Sequence, residues 1–123
     1  MRTGKIYTVD WTDYSATSTI VGWSYFTAKV LKYKKVGKTI FVMFNINGAS
    51  NANRVTFTLP YSANGMVAAC VYTVNNSVAT TTGGCLYLPD TVSTVQVYKD
   101  MSFAAFNTSG TKQVSGQFWF ECV

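Results

Sequence analysis

Hydrophobic and polar residues alternate with a period of two along most of the chain. The clearest case is RVTFTLP, residues 54–60, where Val55, Phe57 and Leu59 fall on one side and Arg54, Thr56 and Thr58 on the other. Successive strand side chains point to opposite faces, so this spacing predicts a half-buried strand. Pro60 lacks a ladder donor and ends the pairing. In TIFVMFNIN, residues 39–47, Ile40, Val42, Phe44 and Ile46 share one face, while Phe41 and Met43, then Asn45 and Asn47, share the other. In SGQFWFECV, residues 115–123, Phe118, Phe120 and Cys122 oppose Trp119 and Val123. Further strands are predicted in 6–11, 65–74 and 92–100, with a long strand or a broken pair over 21–35, a turn plus a short strand in 80–90 and a short strand plus turn in 101–112. Turn-rich segments at 12–20, 36–38, 48–53 and 75–77 separate them. Eight or nine short strands at regular spacing predict an all-β sandwich or barrel. No helical stripe, linker or internal repeat interrupts the pattern, so residues 1–123 read as one domain, with 1–5 as a lead-in.

The strands at 39–47 and 115–123 are apolar on both faces. A sheet face is ordinarily core or solvent, so a second apolar face needs its own cover. Two arrangements supply one: another subunit, or a central position within a single sandwich. For the first, Phe41, Met43, Trp119 and Val123 are the candidate subunit-interface residues.

Composition agrees with strands. The chain has 15 Val and 17 Thr against 4 Leu and 1 Glu, and β-branched residues suit a pleated surface better than a helix. Charged residues make up only 12%, about half the usual share, which leaves a Thr/Ser/Asn surface or a surface covered by partners. The net charge is +5, with Lys29, Lys32, Lys34, Lys35 and Lys38 close together. Such a cluster either attracts phosphates or keeps an exposed hairpin soluble and unpaired. No nucleic-acid motif accompanies it, and no nucleic-acid partner is expected.

Little in the sequence suggests catalysis. There is no histidine, which removes Ser-His-Asp and Cys-His nucleophiles. The carboxylates Asp10, Asp13, Asp90, Asp100 and Glu121 read more simply as turn caps than as the facing pair of a glycosidase. Cys70, Cys85 and Cys122 are odd in number and widely spaced, unlike a disulfide framework or a zinc site. They read as free, mostly buried small hydrophobes. No enzyme activity, metal or cofactor is expected. The opening MRTGKIYTVDW has no apolar segment of the signal-peptide kind, and no run approaches membrane-spanning length.

Binding has better support. Trp11, Tyr14, Trp23, Tyr25, Tyr61, Tyr72 and Tyr87 fall near turns or strand ends, and NGASNAN and YTVNNS supply amides. Aromatic faces stack on sugar C–H groups and amides bond hydroxyls. Tyr14, Tyr25, Tyr72, Asn75 and Asn76 are the candidate carbohydrate-binding residues. Trp11 and Trp23 read more simply as core plugs, because Trp is mostly buried.

The order of Trp11, STIVGW (18–23), AKVLKYKKVGKTIFVMFNING (28–48), ASNAN (49–53), FTLPY (57–61) and the closing VSGQFWFECV (114–123) resembles the small C-terminal β-domain of phage tail-fibre, tailspike and baseplate receptor-binding proteins. The resemblance implies a jelly-roll-like antiparallel sandwich of about eight strands, assembled as a homotrimer at a virion tail tip and made in the bacterial host cytoplasm. It implies a host cell-surface glycan, polysaccharide or lipopolysaccharide, as partner, with the upstream part of a fibre or tailspike attached and no membrane insertion. A trimerisation or folding-chaperone domain without ligand, and a carbohydrate-binding module of a bacterial enzyme, are the alternatives.

Overall fold

A computed structural model describes residues 10–80 and 82–123. These residues form ten antiparallel strands and no helix. The strands are β1 (Thr12–Asp13), β2 (Ile20–Val21), β3 (Trp23–Val36), β4 (Thr39–Ser50), β5 (Val55–Thr58), β6 (Val67–Asn75), β7 (Val78–Ala79), β8 (Gly84–Leu88), β9 (Thr94–Tyr98) and β10 (Thr111–Glu121). Their order across the sheet is β1-β3-β4-β10-β6-β8-β9-β5-β2, with β7 hairpinned onto β6.

The sheet curls into a half-barrel, and β6 is the pivot. Its C-terminal residues Tyr72–Val74 ladder onto β10, while its N-terminal residues Val67–Val71 ladder onto β8. The curl brings β5 over β4, so that the Phe57 and Phe44 rings lie 5.1 Å apart. Neither ring is solvent-exposed, and Leu31, Ile40, Val42, Ile46, Val55, Leu86, Leu88, Val95, Val114 and Phe120 close the core around them. Each such burial contributes roughly 1.5–3 kcal/mol before entropy is charged against it.

The predicted phases hold where alternation was clean. Ile40, Val42, Phe44 and Ile46 point inward, as do Val55, Phe57 and Leu59 on and after β5, and Phe118, Phe120 and Cys122 on and after β10. Several expectations need correction. The segment 48–53 is not all loop, because β4 continues to Ser50. Gly48 permits this: a bulge in β3 lays the Tyr25 carbonyl and the Phe26 Cα where a Cβ at position 48 would stand. Residues 101–110 form turns and irregular chain rather than a short strand. Cys70 is exposed, since it occupies an outward position of β6, whereas Cys85 and Cys122 are buried. The lead-in 1–5 and most of the strand predicted at 6–11 lie outside the described residues.

Candidate binding face on the outer side of the sheet

The outer face of β3, β4, β10 and β6 carries four cross-strand rows. The first is Lys34–Phe41–Trp119 and the second Lys32–Met43–Gln117. The third is Val30–Asn45–Ser115–Tyr72 and the fourth Ala28–Asn47–Gln113–Val74. Directly opposed residues share a face and lie close together, so register alone assembles this surface. It is apolar at the first row and rich in amides at the third and fourth. Gln113 Nε2 donates to Asn45 Oδ1 at 2.9 Å, which fixes both amides.

Trp119 is the most conspicuous member. It is 59% exposed, although Trp is highly buried on average. Open grooves of about 460 and 560 Å³ flank it. One runs past Gln117, Met66 and Ala68, the other past Phe41, Lys34 and Trp11. Lys34 Nζ stands 4.6 Å from the Trp11 ring centroid, an arrangement that holds a cation over an aromatic face. Tyr72, 52% exposed, lies one strand over from Ser115, four residues along β10 from Trp119. That places the two rings roughly 14 Å apart along the strands, with Gln117 and Ser115 between them.

The structure therefore unites residues that the sequence assigned to different roles. Phe41, Met43 and Trp119 are neighbours on one face with Tyr72; Phe41 and Met43 are half-buried by their own sheet. Val123, 76% exposed, follows at the end of the same chain segment, its N–H bonded to the Ser62 carbonyl.

The other predicted sugar contacts lie elsewhere. Tyr14 is a core residue rather than a surface platform, with 7% exposure and its ring edge-on to Tyr33 at 5.7 Å. Its hydroxyl finds no partner among the described residues, and burial holds its pKa well above the usual phenol value. Asn75 and Asn76 belong to the β6–β7 turn. Asn75 Oδ1 accepts the Asn107 N–H at 2.7 Å, and Asn76 (φ 50°) and Ser77 (φ 66°) both take left-handed backbone, which Asn tolerates better than most residues. Turn geometry accounts for both. Tyr25, 62% exposed, opposes Ala49 near the far end of the sheet.

The lysine cluster lies largely on aromatic rings. Besides Lys34, Lys29 Nζ sits 5.3 Å from the Phe26 ring centroid and Lys35 Nζ 4.9 Å from that of Tyr61. The carboxylates serve local structure. Asp13 accepts the Ser15 N–H, Asp90 the Gly65 N–H, Asp100 the Ser102 N–H and hydroxyl, and Glu121 the Thr39 hydroxyl. The Ser15 backbone bond holds the Asp13 carboxyl below its ordinary pKa, and the Ser102 hydroxyl does so for Asp100. Both effects favour the carboxylate, the opposite of what a general acid requires.

Sequence reasoning overlooked Lys112. It is fully buried. Its Nζ donates to the Ala52 carbonyl at 2.9 Å and lies 5.0 and 5.3 Å from the Trp23 and Phe106 ring centroids. The Trp23 indole N–H donates in turn to the Lys112 carbonyl at 2.9 Å. Burial lowers the lysine pKa to about 8. The signal was present: stepping back by two from Phe118 through Gly116 and Val114 places residue 112 on the core face.

Comparison with known protein families, characterised proteins and solved structures returns no match to this chain. The functional reading therefore rests on the chemistry of this face.

Proposed function

We propose that the chain is a non-catalytic binding module whose outer β3–β4–β10 face takes a carbohydrate. One observation carries the reading: an exposed Trp119 flanked by grooves, with Gln117, Asn45, Gln113 and Tyr72 on the same surface. Aromatic rings bind sugars through their apolar C–H faces, and neighbouring amides satisfy the hydroxyls. The β4, β10 and β6 members of the face are all uncharged, which suits such a ligand. Lys32 and Lys34 at its margin add attraction for acidic polysaccharide or lipopolysaccharide phosphate, weakened by salt. In this reading the half-barrel is the jelly-roll-like tip domain of a phage tail fibre or tailspike, trimeric in the virion. Three copies engaging a repeating polymer turn weak single sites into useful avidity.

A second reading takes the apolar end of the face as a contact between subunits of a structural module without ligand. The exposure of Met66 (65%), Trp119 and Val123 favours it, because contiguous apolar surface marks interfaces. A glycan array probed with wild type, Trp119→Ala and Tyr72→Ala separates the two. The carbohydrate reading expects binding to one polysaccharide class, lost in Trp119→Ala and weakened in Tyr72→Ala. Absence of binding by wild type, together with a trimer by light scattering that Trp119→Ala dissociates, gives the answer to the second.

A further inference from the structure

Cys70 and Cys85 are distant in sequence but stand directly opposite each other in the β6–β8 ladder. Opposed residues send their side chains to the same face. Val71 and Leu86 beside them point into the core, so both thiols lie on the outer side. The connection between β9 and β10 folds over them. Met101 Sδ is 3.6 Å from Cys70 Sγ. The Phe103 ring packs edge-on to Tyr98 at 5.1 Å, and Tyr98 is the residue across β8–β9 from Cys85. Asp100 pins this connection by accepting from Ser102 N at 2.9 Å, Ser102 Oγ at 2.6 Å and Ala104 N at 3.3 Å. Cys85 is buried, while Cys70 and Met101 remain open to solvent.

We propose that Cys70, Cys85 and Met101 form a binding site for one soft monovalent metal ion, with Cu(I) as the biological case. Two thiolates and a thioether are a donor set that selects soft cations. Metal–sulfur bonds of about 2.3 Å place three trigonal sulfurs roughly 4 Å apart; the Cys70–Met101 pair stands at 3.6 Å, and Cys85 joins it through its direct register with Cys70. A structural zinc site takes four protein ligands, whereas three sulfurs converge here, the chain has no histidine, and the Asp100 carboxylate is engaged by Ser102 and Ala104. Exposed Cys70 and Met101 provide the entry, and covered Cys85 anchors the ion from below.

Each cysteine binds as thiolate. The balanced step is one monovalent cation plus two thiols giving a metal dithiolate of net charge −1 and two released protons; the Met101 sulfur adds a lone pair with no proton change. Because both thiols must lose their protons to bind, uptake strengthens as pH rises. This site is independent of the carbohydrate reading.

The test is anaerobic titration of the reduced, intact protein with Ag(I), a redox-silent probe, and then with Cu(I). Native mass spectrometry counts ions, and ultraviolet thiolate-to-metal absorption and proton release follow uptake. The expected result is one ion and two protons per chain. Cys70→Ser, an exposed position, should weaken binding by at least about 100-fold, and Met101→Leu by about tenfold, losses at or above those for outer-shell partners. Cys122→Ser should bind as wild type. Equal binding by wild type and Cys70→Ser overturns the proposal, as does loss of binding in Cys122→Ser. No response in Met101→Leu removes the thioether from the site and overturns the three-sulfur assignment. Formation of a Cys70–Cys85 disulfide on mild oxidation, with no metal uptake by the reduced protein, assigns the pair to redox chemistry instead.

Discussion

Replacing Lys112 by methionine removes a buried amine while keeping most of the apolar stem. In the folded chain its pKa falls from 10.5 to about 8 because the side chain is buried. At 1.36 kcal/mol per pKa unit, this penalises the charged form by roughly 3 kcal/mol. The folded pKa is the depressed one, so the unfolded chain binds more protons between about pH 8 and 10.5, and stability rises with pH through that window. Integrated from pH 7 to pH 9, the rise from this group is about 1.3 kcal/mol. Two acids act the other way. Burial raises the folded pKa of the Cys85 thiol and the Tyr14 phenol, so each subtracts stability once its unfolded counterpart ionises, above about pH 9 and pH 10 respectively. Subtracting the Lys112→Met curve from wild type removes both contributions. Urea unfolding at pH 7, 8 and 9 should show the wild-type-minus-variant difference growing by about 1 kcal/mol toward wild type. A difference that stays flat within a few tenths of a kcal/mol would refute the argument, because Lys112 would then titrate as an ordinary exposed lysine.

Two further predictions concern the scaffold. Gly48→Ala should destabilise the protein by roughly 1–3 kcal/mol, the cost of forcing a side chain into a filled space. The Tyr25 carbonyl and Phe26 Cα are backbone and cannot rotate away, so a melting temperature equal to wild type would contradict the bulge. Thiol titration of the metal-free native protein should give one fast-reacting cysteine, Cys70, with Cys85 and Cys122 reacting only on unfolding; three fast thiols would contradict the burial pattern.

β5 was readable because burial on one side imposes strict alternation. β4 and β10, apolar on both faces, showed two sets at a period of two, and the fold turns Ile40, Val42, Phe44 and Ile46, and Phe118 and Phe120, inward. The two-residue strands β1, β2 and β7 have no pattern of their own; they exist through backbone pairing with longer neighbours, which periodicity does not encode. The continuation of β4 through Gly48 was hidden because its Gly/Ala/Ser composition reads as loop. It depends on the β3 bulge, a feature of the partner strand. The same limit applies to the candidate sites. Phe41, Met43 and Trp119 were legible as outward apolar residues, but their adjacency to Tyr72 required the register of β4, β10 and β6. Cys70 and Cys85 looked unrelated in sequence until the β6–β8 ladder placed them opposite one another. Tyr14 sits in a turn-rich segment that suggested exposure, yet its ring packs under Tyr33. Asn75 and Asn76 owe their place to the β6–β7 turn, and amide composition alone does not distinguish a turn from a ligand contact.

The most direct test of the proposed binding face uses the three tryptophans as reporters. Trp119 lies on the face at its apolar end and Trp11 at its margin beside Lys34, while Trp23 is buried over Lys112. Protein labelled with 5-fluorotryptophan gives one ¹⁹F signal for each, assigned by single Trp→Phe variants. Titration with a glycan that scores on the array should shift the Trp119 signal most, move Trp11 less, and leave Trp23 in place. A bound glycan that shifts Trp23, or leaves Trp119 unmoved, would contradict the assignment of the β3–β4–β10 face as the carbohydrate site.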